Sequence, residues 1–157
     1  MKKDIIYVDM DGVLADFESA KNDLDELHLN AYDGRADLIP NFFKDLPLIP
    51  GAKEAMKVLD EHFDVYILST PPWGNPDAWG HKRLWIEKHF PYLWKKVILS
   101  HNKGLMKGEY LIDDSDYRGQ KDFVNSKGKK AHIHFGQPGL ETWDKVMDYI
   151  MGFSNNN

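Results

Sequence analysis

Two aspartates near the start of the chain could together carry out nucleophilic and acid–base chemistry. Asp9 and Asp11 follow an apolar run over residues 5–8 and precede Gly12. One such carboxylate can attack an electrophilic centre while the other donates and accepts protons. An uninterrupted apolar run is typical of a strand buried on both faces of a parallel sheet, and glycine permits a sharp turn after it. The carboxylates would then lie where open α/β sheets bind ligands.

Polar residues also follow three later apolar runs. They are Ser69 and Thr70, then Lys103, then the pair Asp113 and Asp114. Because the carboxyl ends of parallel strands lie side by side, we expect these groups to meet around the first two aspartates. Four clustered carboxylates would repel one another, and a hard divalent cation would relieve that repulsion; oxygen ligands favour Mg²⁺. A solvated acidic turn is the competing interpretation of each motif alone, and the matching order of the motifs argues against it.

Strand-like runs alternate with amphipathic helical segments through most of the chain. Strands are predicted at residues 5–9, 64–69, 97–99, 110–112 and 131–135. Helices are predicted from Pro50-Gly51, from Asn75 as N-cap to residue 90, over 117–125, and from residue 140 to a C-cap at Gly152, with fraying over residues 154–157. This alternation predicts an α/β, Rossmann-like five-stranded parallel sheet with helices on both faces. No Gly-x-Gly-x-x-Gly fingerprint is present, so a dinucleotide ligand is not expected.

The stretch between the first strand and the next helix has a different pattern. Apolar residues recur at helical spacing over residues 14–27, residues 30–40 indicate a loop or short helices, and residues 41–46 indicate one more short helix. We therefore predict a small helical insertion at residues 18–46, with a core domain formed by residues 1–17 and 47–153.

Composition limits the class of protein. A chain of 157 residues suggests one domain with a small insertion, and the net charge of −5 argues against a nucleic-acid groove or a membrane surface. There is no cysteine, which excludes disulfides, thiolate metal sites and a thiol nucleophile, and is compatible with the expected cytoplasmic location. The first apolar run is too short for a signal peptide, and no stretch approaches transmembrane length.

The order of these motifs resembles the four-motif signature of the haloacid dehalogenase-like (HAD) phosphohydrolases. The resemblance implies that Asp9 is the nucleophile that forms an aspartyl-phosphate, and that Asp11 is the general acid and base. It implies that Ser69, with Thr70 behind it, binds a phosphate oxygen, and that Lys103 neutralises charge, with Lys107 as a competing candidate. It also implies a Mg²⁺ site formed by Asp9, the carbonyl of Asp11, Asp113 and Asp114, and a cap at residues 18–46.

Several stretches more closely resemble the 5′(3′)-deoxyribonucleotidases. They are residues 9–18, Phe42-Phe43 with residues 46–52, residues 85–90, Asn102-Lys103 and residues 111–114. This resemblance implies a deoxynucleoside monophosphate substrate, with a pyrimidine base packed against Phe17 and against Phe42 or Phe43. The sequence departs from the family in its shorter cap and at Trp73, which stands where those enzymes place a lysine near the phosphate.

Other interpretations remain open at this point. The chain could be a HAD phosphatase for another small phosphate ester or a nucleic-acid end, or a non-catalytic phosphate-binding module. The presence of both Asp9 and Asp11 argues against a pure binding module. His132 and His134 share a strand face and could ligate zinc, but no third ligand is evident and surface histidines are the simpler interpretation. A homodimer is left open, and neither a nucleic acid nor a membrane is an expected partner.

Overall fold

The first strand lies at the centre of a parallel sheet in the computed structural model, which describes residues 1–154 apart from the side chains of residues 153 and 154. The described residues form five strands in the order β3-β2-β1-β4-β5. These are β1 (Ile5–Val8), β2 (Asp64–Ser69), β3 (Val97–Leu99), β4 (Tyr110–Asp113) and β5 (His132–His134). Val8 lies between Ile67 and Ile112, so β1, β2 and β4 end at nearly the same level. The predicted parallel α/β sheet is confirmed.

Alternate residues of β1 face two separate cores. Ile6 and Val8 are buried in the larger core, which also receives the apolar faces of three long helices. These helices are α3 (Ala52–His62), α4 (Pro76–His89) and α5 (Trp143–Ser154). Tyr7 faces a smaller core with Leu68, Leu111 and Phe123. The connections that cover this second face carry only short 3₁₀ helices at Lys103–Leu105 and Gln120–Asp122.

Three predicted helix features differ in the structure. The short helix expected over residues 117–125 is reduced to the 3₁₀ turn, and Gly152 lies inside α5 instead of capping it. Asn75 does precede α4, but its side chain makes no capping hydrogen bond. Of the segment expected to fray, Ser154 belongs to α5, whereas residues 155–157 lie outside the described residues.

The stretch after β1, residues 17–46, is named the inserted segment. It contains two short helices, α1 (Phe17–Asn22) and α2 (Glu26–Asn30), and a 3₁₀ turn at Ala36–Leu38. Its helical periodicity is interrupted because Asp25 accepts a hydrogen bond from the Leu27 N–H at 3.0 Å and starts a new helix. Residues 41–46 form turns instead of the expected helix, and Asn41 has a φ of 65°.

Both ends of the inserted segment are joined to the same point of the core. The Asp16 N–H donates to the Pro47 carbonyl at 2.7 Å, and the Ile49 N–H donates to the Leu14 carbonyl at 2.8 Å. The chain therefore leaves the end of β1 and returns beside it, which places the inserted segment at the edge of the sheet that carries Asp9. No helix among the described residues has the length and apolar character needed to cross a membrane.

Candidate active site

Lys103 is held at the end of the sheet by two aspartates. It is buried, its Nζ donates to Asp9 Oδ1 at 2.9 Å, and the same nitrogen forms an ion pair with Asp113. The Lys103 N–H donates to the Arg118 carbonyl at 2.8 Å, which fixes the start of the 3₁₀ turn. Burial alone would lower the pKa of Lys103, but the charges of both aspartates raise it, so the ammonium persists. Lys107, the competing candidate, is exposed and does not line this site.

Three carboxylates converge beside this lysine. One oxygen from each of Asp9, Asp113 and Asp114 lies within 4.8 Å of the others. Burial and the charge of Asp9 raise the pKa of Asp113 to about 6 and that of Asp114 to about 8. Uncompensated negative charge of this kind is what a divalent cation neutralises, and the all-oxygen donor set fits Mg²⁺. The Asp11 carboxylate points elsewhere, so a metal contact from this residue would use its backbone carbonyl.

Two histidines of β5 contact the backbone next to this cluster. His132 Nε2 lies 3.0 Å from the Asp113 carbonyl, and His134 Nε2 lies 3.0 Å from the Asp114 carbonyl. Their rings stack with centroids 4.9 Å apart. Each histidine thus has a backbone partner, and the described residues place neither of them in a metal-binding group of side chains.

Lys82 of α4 is a central member of the site that the sequence analysis did not identify. It is fully buried, its Nζ pairs with Asp11, and it donates to Ser69 Oγ at 3.0 Å. The same nitrogen lies 4.4 Å from the centre of the Phe43 ring. A signal was present, because Lys82 interrupts the buried stripe of α4 that includes Ala78, Trp85 and Ile86. A lysine on such a face is buried only when it is paired.

The environment of Asp11 suits a proton donor. Burial raises the pKa of its carboxyl, the nearby Lys82 lowers it, and the charge of Asp9 raises it again. Asp11 Oδ1 is buried and has no hydrogen-bond partner among the described residues. One oxygen is thus held by Lys82, and the other is buried with its hydrogen-bonding capacity unused.

A cavity of about 520 Å³ opens above these groups. Its floor is formed by strand-end residues, namely Asp9, Asp11, Thr70, Lys103, Asp113 and Asp114. The inserted segment contributes Phe17, Glu18, Arg35, Asp37 and Phe43 to its wall, and the stretch after β4 contributes Ser115, Tyr117, Arg118 and Gln120. Thr70 is further fixed because its Oγ1 donates to the Ser100 carbonyl at 2.8 Å. The volume and the mixed lining are those of a small-molecule site.

Of the four aromatic residues considered as substrate contacts, the structure places two in this cavity. Phe17 and Phe43 line it, with ring centres 6.1 Å apart. Phe42 instead lines a second cavity of about 300 Å³ formed within the inserted segment, and its ring packs edge-on against the other two.

Trp73 lies outside the main cavity, which does not match its expected place near the phosphate. Its side chain is exposed and its ring packs against Trp79 and His101. Pro72 reaches the cavity in its place. Trp79 Nε1 donates to the Pro72 carbonyl at 3.2 Å, which holds the loop in this orientation.

Comparison with solved structures agrees with this architecture. A HAD-hydrolase of Bacillus subtilis, YfnB, described as bound to magnesium, is 15% identical with a TM-score of 0.53, covering 96% of this chain and 99% of that one. A haloacid dehalogenase-like hydrolase of Burkholderia xenovorans LB400 is also 15% identical, with a TM-score of 0.55 and coverage of 96% and 98%. At this identity the likeness concerns the fold.

Comparison of sequences is more specific. The family model described as "5′ nucleotidase, deoxy (Pyrimidine), cytosolic type C protein" matches residues 32–152. A Vibrio phage KVP40 protein assigned as a 5′(3′)-deoxyribonucleotidase is 44% identical over 94% of this chain and 85% of its own length. The human 5′(3′)-deoxyribonucleotidase, cytosolic type, is 32% identical over 74% of each chain. The chain therefore belongs to the cytosolic type C 5′(3′)-deoxyribonucleotidase family of HAD phosphohydrolases.

Proposed function

We propose that the protein is a Mg²⁺-dependent phosphomonoesterase that hydrolyses deoxyribonucleoside monophosphates, with pyrimidine bases preferred, through an aspartyl-phosphate. The observation that carries this proposal is the position of Asp9. Its carboxylate lies at the floor of a cavity, 2.9 Å from the Lys103 ammonium and within a cluster of three carboxylates. That arrangement presents a nucleophile to a dianionic phosphate, with a cation beside it that offsets part of the negative charge.

Asp9 and Asp11 divide the chemistry between them. An Asp9 carboxylate oxygen attacks phosphorus and forms a P–O bond while the bond to the nucleoside oxygen breaks. Asp11 donates a proton to that leaving oxygen, which departs as the nucleoside hydroxyl. Asp11 then accepts a proton from a water molecule whose oxygen attacks the phosphorus of the aspartyl-phosphate. Inorganic phosphate leaves, and both carboxyl groups return to their initial states.

Two lysines keep these carboxyl groups in position. Lys103 connects Asp9 to Asp113, and Lys82 connects Asp11 to Ser69. When a phosphate enters, Lys103 provides a donor toward its oxygens. Ser69 is buried just outside the cavity lining, and its hydroxyl oxygen accepts from Lys82, so its own hydrogen is left to donate to the phosphate. The Thr70 hydroxyl already donates to the Ser100 carbonyl, so Thr70 lines the site without a free donor. Because the donors sit on strand ends and on a buried helix face, little reorganisation accompanies the reaction.

The carboxylates of Asp9, Asp113 and Asp114, with the Asp11 carbonyl, would hold Mg²⁺. When bound, the ion neutralises charge on the phosphoryl oxygens and on the carboxylates. The raised pKa values of Asp113 and Asp114 arise first from burial and then from the charge of Asp9, and the second cause, which a cation would offset, supports this assignment.

Residues 18–46 of the inserted segment would form a cap that covers the site and selects the substrate. Phe17 and the buried Phe43 line the cavity and supply aromatic surface for a planar base, and the small cap would favour the smaller pyrimidines. The description of the matching family names deoxy and pyrimidine nucleotides, which supports the same choice. The human relative is named as cytosolic, and we infer a cytoplasmic location for this protein also.

A substrate panel tests the proposal. Phosphate release should be measured with Mg²⁺ from deoxynucleoside 5′- and 3′-monophosphates, sugar phosphates and 3′-phosphorylated oligonucleotides. We expect kcat/KM to be highest for deoxypyrimidine monophosphates, and Asp9→Asn to reduce turnover by at least about 10³-fold while the melting temperature is kept. If sugar phosphates or nucleic-acid ends were preferred, the substrate assignment would be wrong. Near wild-type turnover by Asp9→Asn would exclude the covalent mechanism.

A further inference from the structure

Two charged residues of the inserted segment face the cavity without a role in the proposed chemistry. Arg35 and Asp37 both line its wall. Arg35 Nε donates to Asp37 Oδ1 at 2.8 Å, and its Nη2 donates to Oδ2 at 2.6 Å. This two-point contact fixes the plane of the guanidinium relative to the carboxylate. The Arg35 side chain is still 59% exposed, so donors of the guanidinium remain available to a ligand.

A second arginine, Arg118 in the stretch after β4, adds positive charge near Asp37. The hydrogen bonds from Arg35, with a smaller contribution from the charge of Arg118, hold the pKa of Asp37 below its usual range. Arg118 also lines the cavity, and its guanidinium lies 5.1 Å from the centre of the Tyr117 ring. Asp37 is therefore an anion with a defined orientation at the mouth of the cavity.

Asn75 attaches this part of the inserted segment to the core. It is buried, and its Nδ2 donates to the Asp37 carbonyl at 3.0 Å and to the Ile39 carbonyl at 3.2 Å. Asn75 stands at the N-cap of α4, where asparagine usually accepts a hydrogen bond from the helix, but here it makes no such bond. Its amide is used to hold the inserted segment instead.

The anchor connects the cavity wall to the phosphate-binding floor. Asn75 is five residues beyond Thr70, in a loop whose Pro72 also lines the cavity. Leu38 packs closely against the same loop, since a Cβ built on Gly74 would lie 3.0 Å from Leu38 Cδ2. The distance between the Arg35–Asp37 pair and the strand-end carboxylates is thus fixed by this loop.

We propose that the Arg35–Asp37 pair is a specificity determinant that recognises the nucleoside part of the substrate, and that Asn75 is the positioning residue that holds the pair in place. This inference rests on the proposed function and extends it. The phosphate is accounted for by the floor, whereas the pair stands in the same wall as Phe17 and Phe43. A nucleoside offers hydroxyl, carbonyl and ring-nitrogen groups that match a guanidinium and a carboxylate, and a simple aryl ester does not.

The test compares a deoxypyrimidine monophosphate with phenyl phosphate, by phosphate release. Arg35→Ala should lower kcat/KM for the nucleotide about tenfold, mainly by raising KM. A tenfold change is the loss expected when one hydrogen bond between a charged group and the substrate is removed. Phenyl phosphate hydrolysis should change by less than about twofold. Arg83→Ala is the matched control, because Arg83 is 60% exposed and paired with Glu87 on α4 away from the cavity.

Asn75→Asp tests the anchor separately. Aspartate is as good an N-cap as asparagine, but it cannot donate to the two carbonyls. We expect the same selective loss on the nucleotide as for Arg35→Ala. Because the variant leaves two buried carbonyls without a donor, its melting temperature should also fall, and both substrates are assayed well below it. Equal losses on both substrates would show a merely structural role for Asn75 and overturn its assignment.

The wild-type protein separates this inference from the function on which it rests. A wild-type enzyme without preference for the nucleotide over phenyl phosphate would overturn the proposed function and this inference together. A wild-type preference that Arg35→Ala leaves unchanged would overturn this inference alone.

Discussion

The buried Lys82 allows a quantitative test of how the site is held together. Lys82→Met keeps the length and volume of the side chain but removes the cation that pairs with Asp11 and donates to Ser69 Oγ. The lysine side chain is 1% exposed, and the Asp11 side chain is 25% exposed. The substitution therefore leaves a mostly buried carboxylate without its counter-ion.

The expected loss of stability follows from that geometry. Removing one partner of a fully buried ion pair destabilises a protein by about 3–5 kcal/mol. Because solvent reaches part of Asp11, we expect about 2–3 kcal/mol at pH 7. The loss of unfolding free energy has an upper limit, because Asp11 can take up a proton and become neutral instead of staying buried as an unpaired charge. That costs about 4 kcal/mol at pH 7, since an unfolded aspartate titrates about three pH units lower.

The loss should depend on pH in a defined direction. Burial already raises the pKa of Asp11 against the opposing effect of Lys82, so the pKa in the folded variant rises further. Between about pH 4 and that raised pKa, the folded variant binds more protons than the unfolded chain. The free energy of unfolding of the variant therefore falls as pH rises through this window. The difference from wild type should be smallest near pH 4–5 and largest near pH 8.

Urea unfolding of the metal-free protein at pH 5 and pH 8 measures this difference. Lys57→Met is the matched control, since Lys57 is exposed on α3 and should show little change at either pH. Asp11→Asn combined with Lys82→Met should restore part of the stability that Lys82→Met loses, because no buried charge remains. A Lys82→Met loss that is the same at both pH values would refute the reasoning.

The metal cluster, the aromatic wall and the turn after Asp11 each allow a further test. EDTA should abolish activity, and Mg²⁺ should restore it. At about 100 times its Kd, Mg²⁺ should add about 2.7 kcal/mol to the unfolding free energy, which is measured as a higher Tm. Full activity after chelation would contradict the metal site. Phe17→Ala should reduce kcat/KM for a deoxypyrimidine monophosphate by about tenfold to a hundredfold, with little effect on p-nitrophenyl phosphate, given stacking of about 1–3 kcal/mol. Gly12→Ala should lose activity, because Gly12 has a φ of 77° and a Cβ there would lie 2.0 Å from Asp114 Oδ2. Gly128→Ala has similar backbone strain at a φ of 69° but open space, so it should lower Tm without impairing kcat.

The sheet and the strand-end groups were predictable because local pattern determines both. A continuous apolar run followed by Asp9, and polar residues after three further runs, place those groups at one edge once the strands are parallel. The residues that converge there do so through backbone direction alone. The choice of Lys103 over Lys107 came from the family resemblance, and the structure holds Lys103 in place through its backbone bond to Arg118.

Side-chain choices that depend on tertiary packing were not predictable in the same way. Lys82 breaks the apolar pattern of the buried face of α4. Only the position of Asp11 in the folded structure shows why a cation is needed there. Asn75 has the position of an N-cap, yet its Nδ2 donates to two carbonyls of the inserted segment and its side chain makes no capping bond. Trp73 follows Thr70 closely in sequence, but packing against Trp79 turns it outward.

The two ends of the inserted segment, joined across Asp16–Pro47 and Leu14–Ile49, make this part of the chain modular. The two ends are already adjacent, so a longer segment raises the entropic cost of closing this loop only slightly. That cost is about 0.6 kcal/mol for each doubling of the length of a flexible loop. The strand-end carboxylates lie outside the segment, whereas Phe43 and Leu46 belong to the core and would have to be kept in such an exchange. Grafting a longer segment between residues 16 and 47 is therefore a direct route to enzymes of the same chemistry with larger substrates.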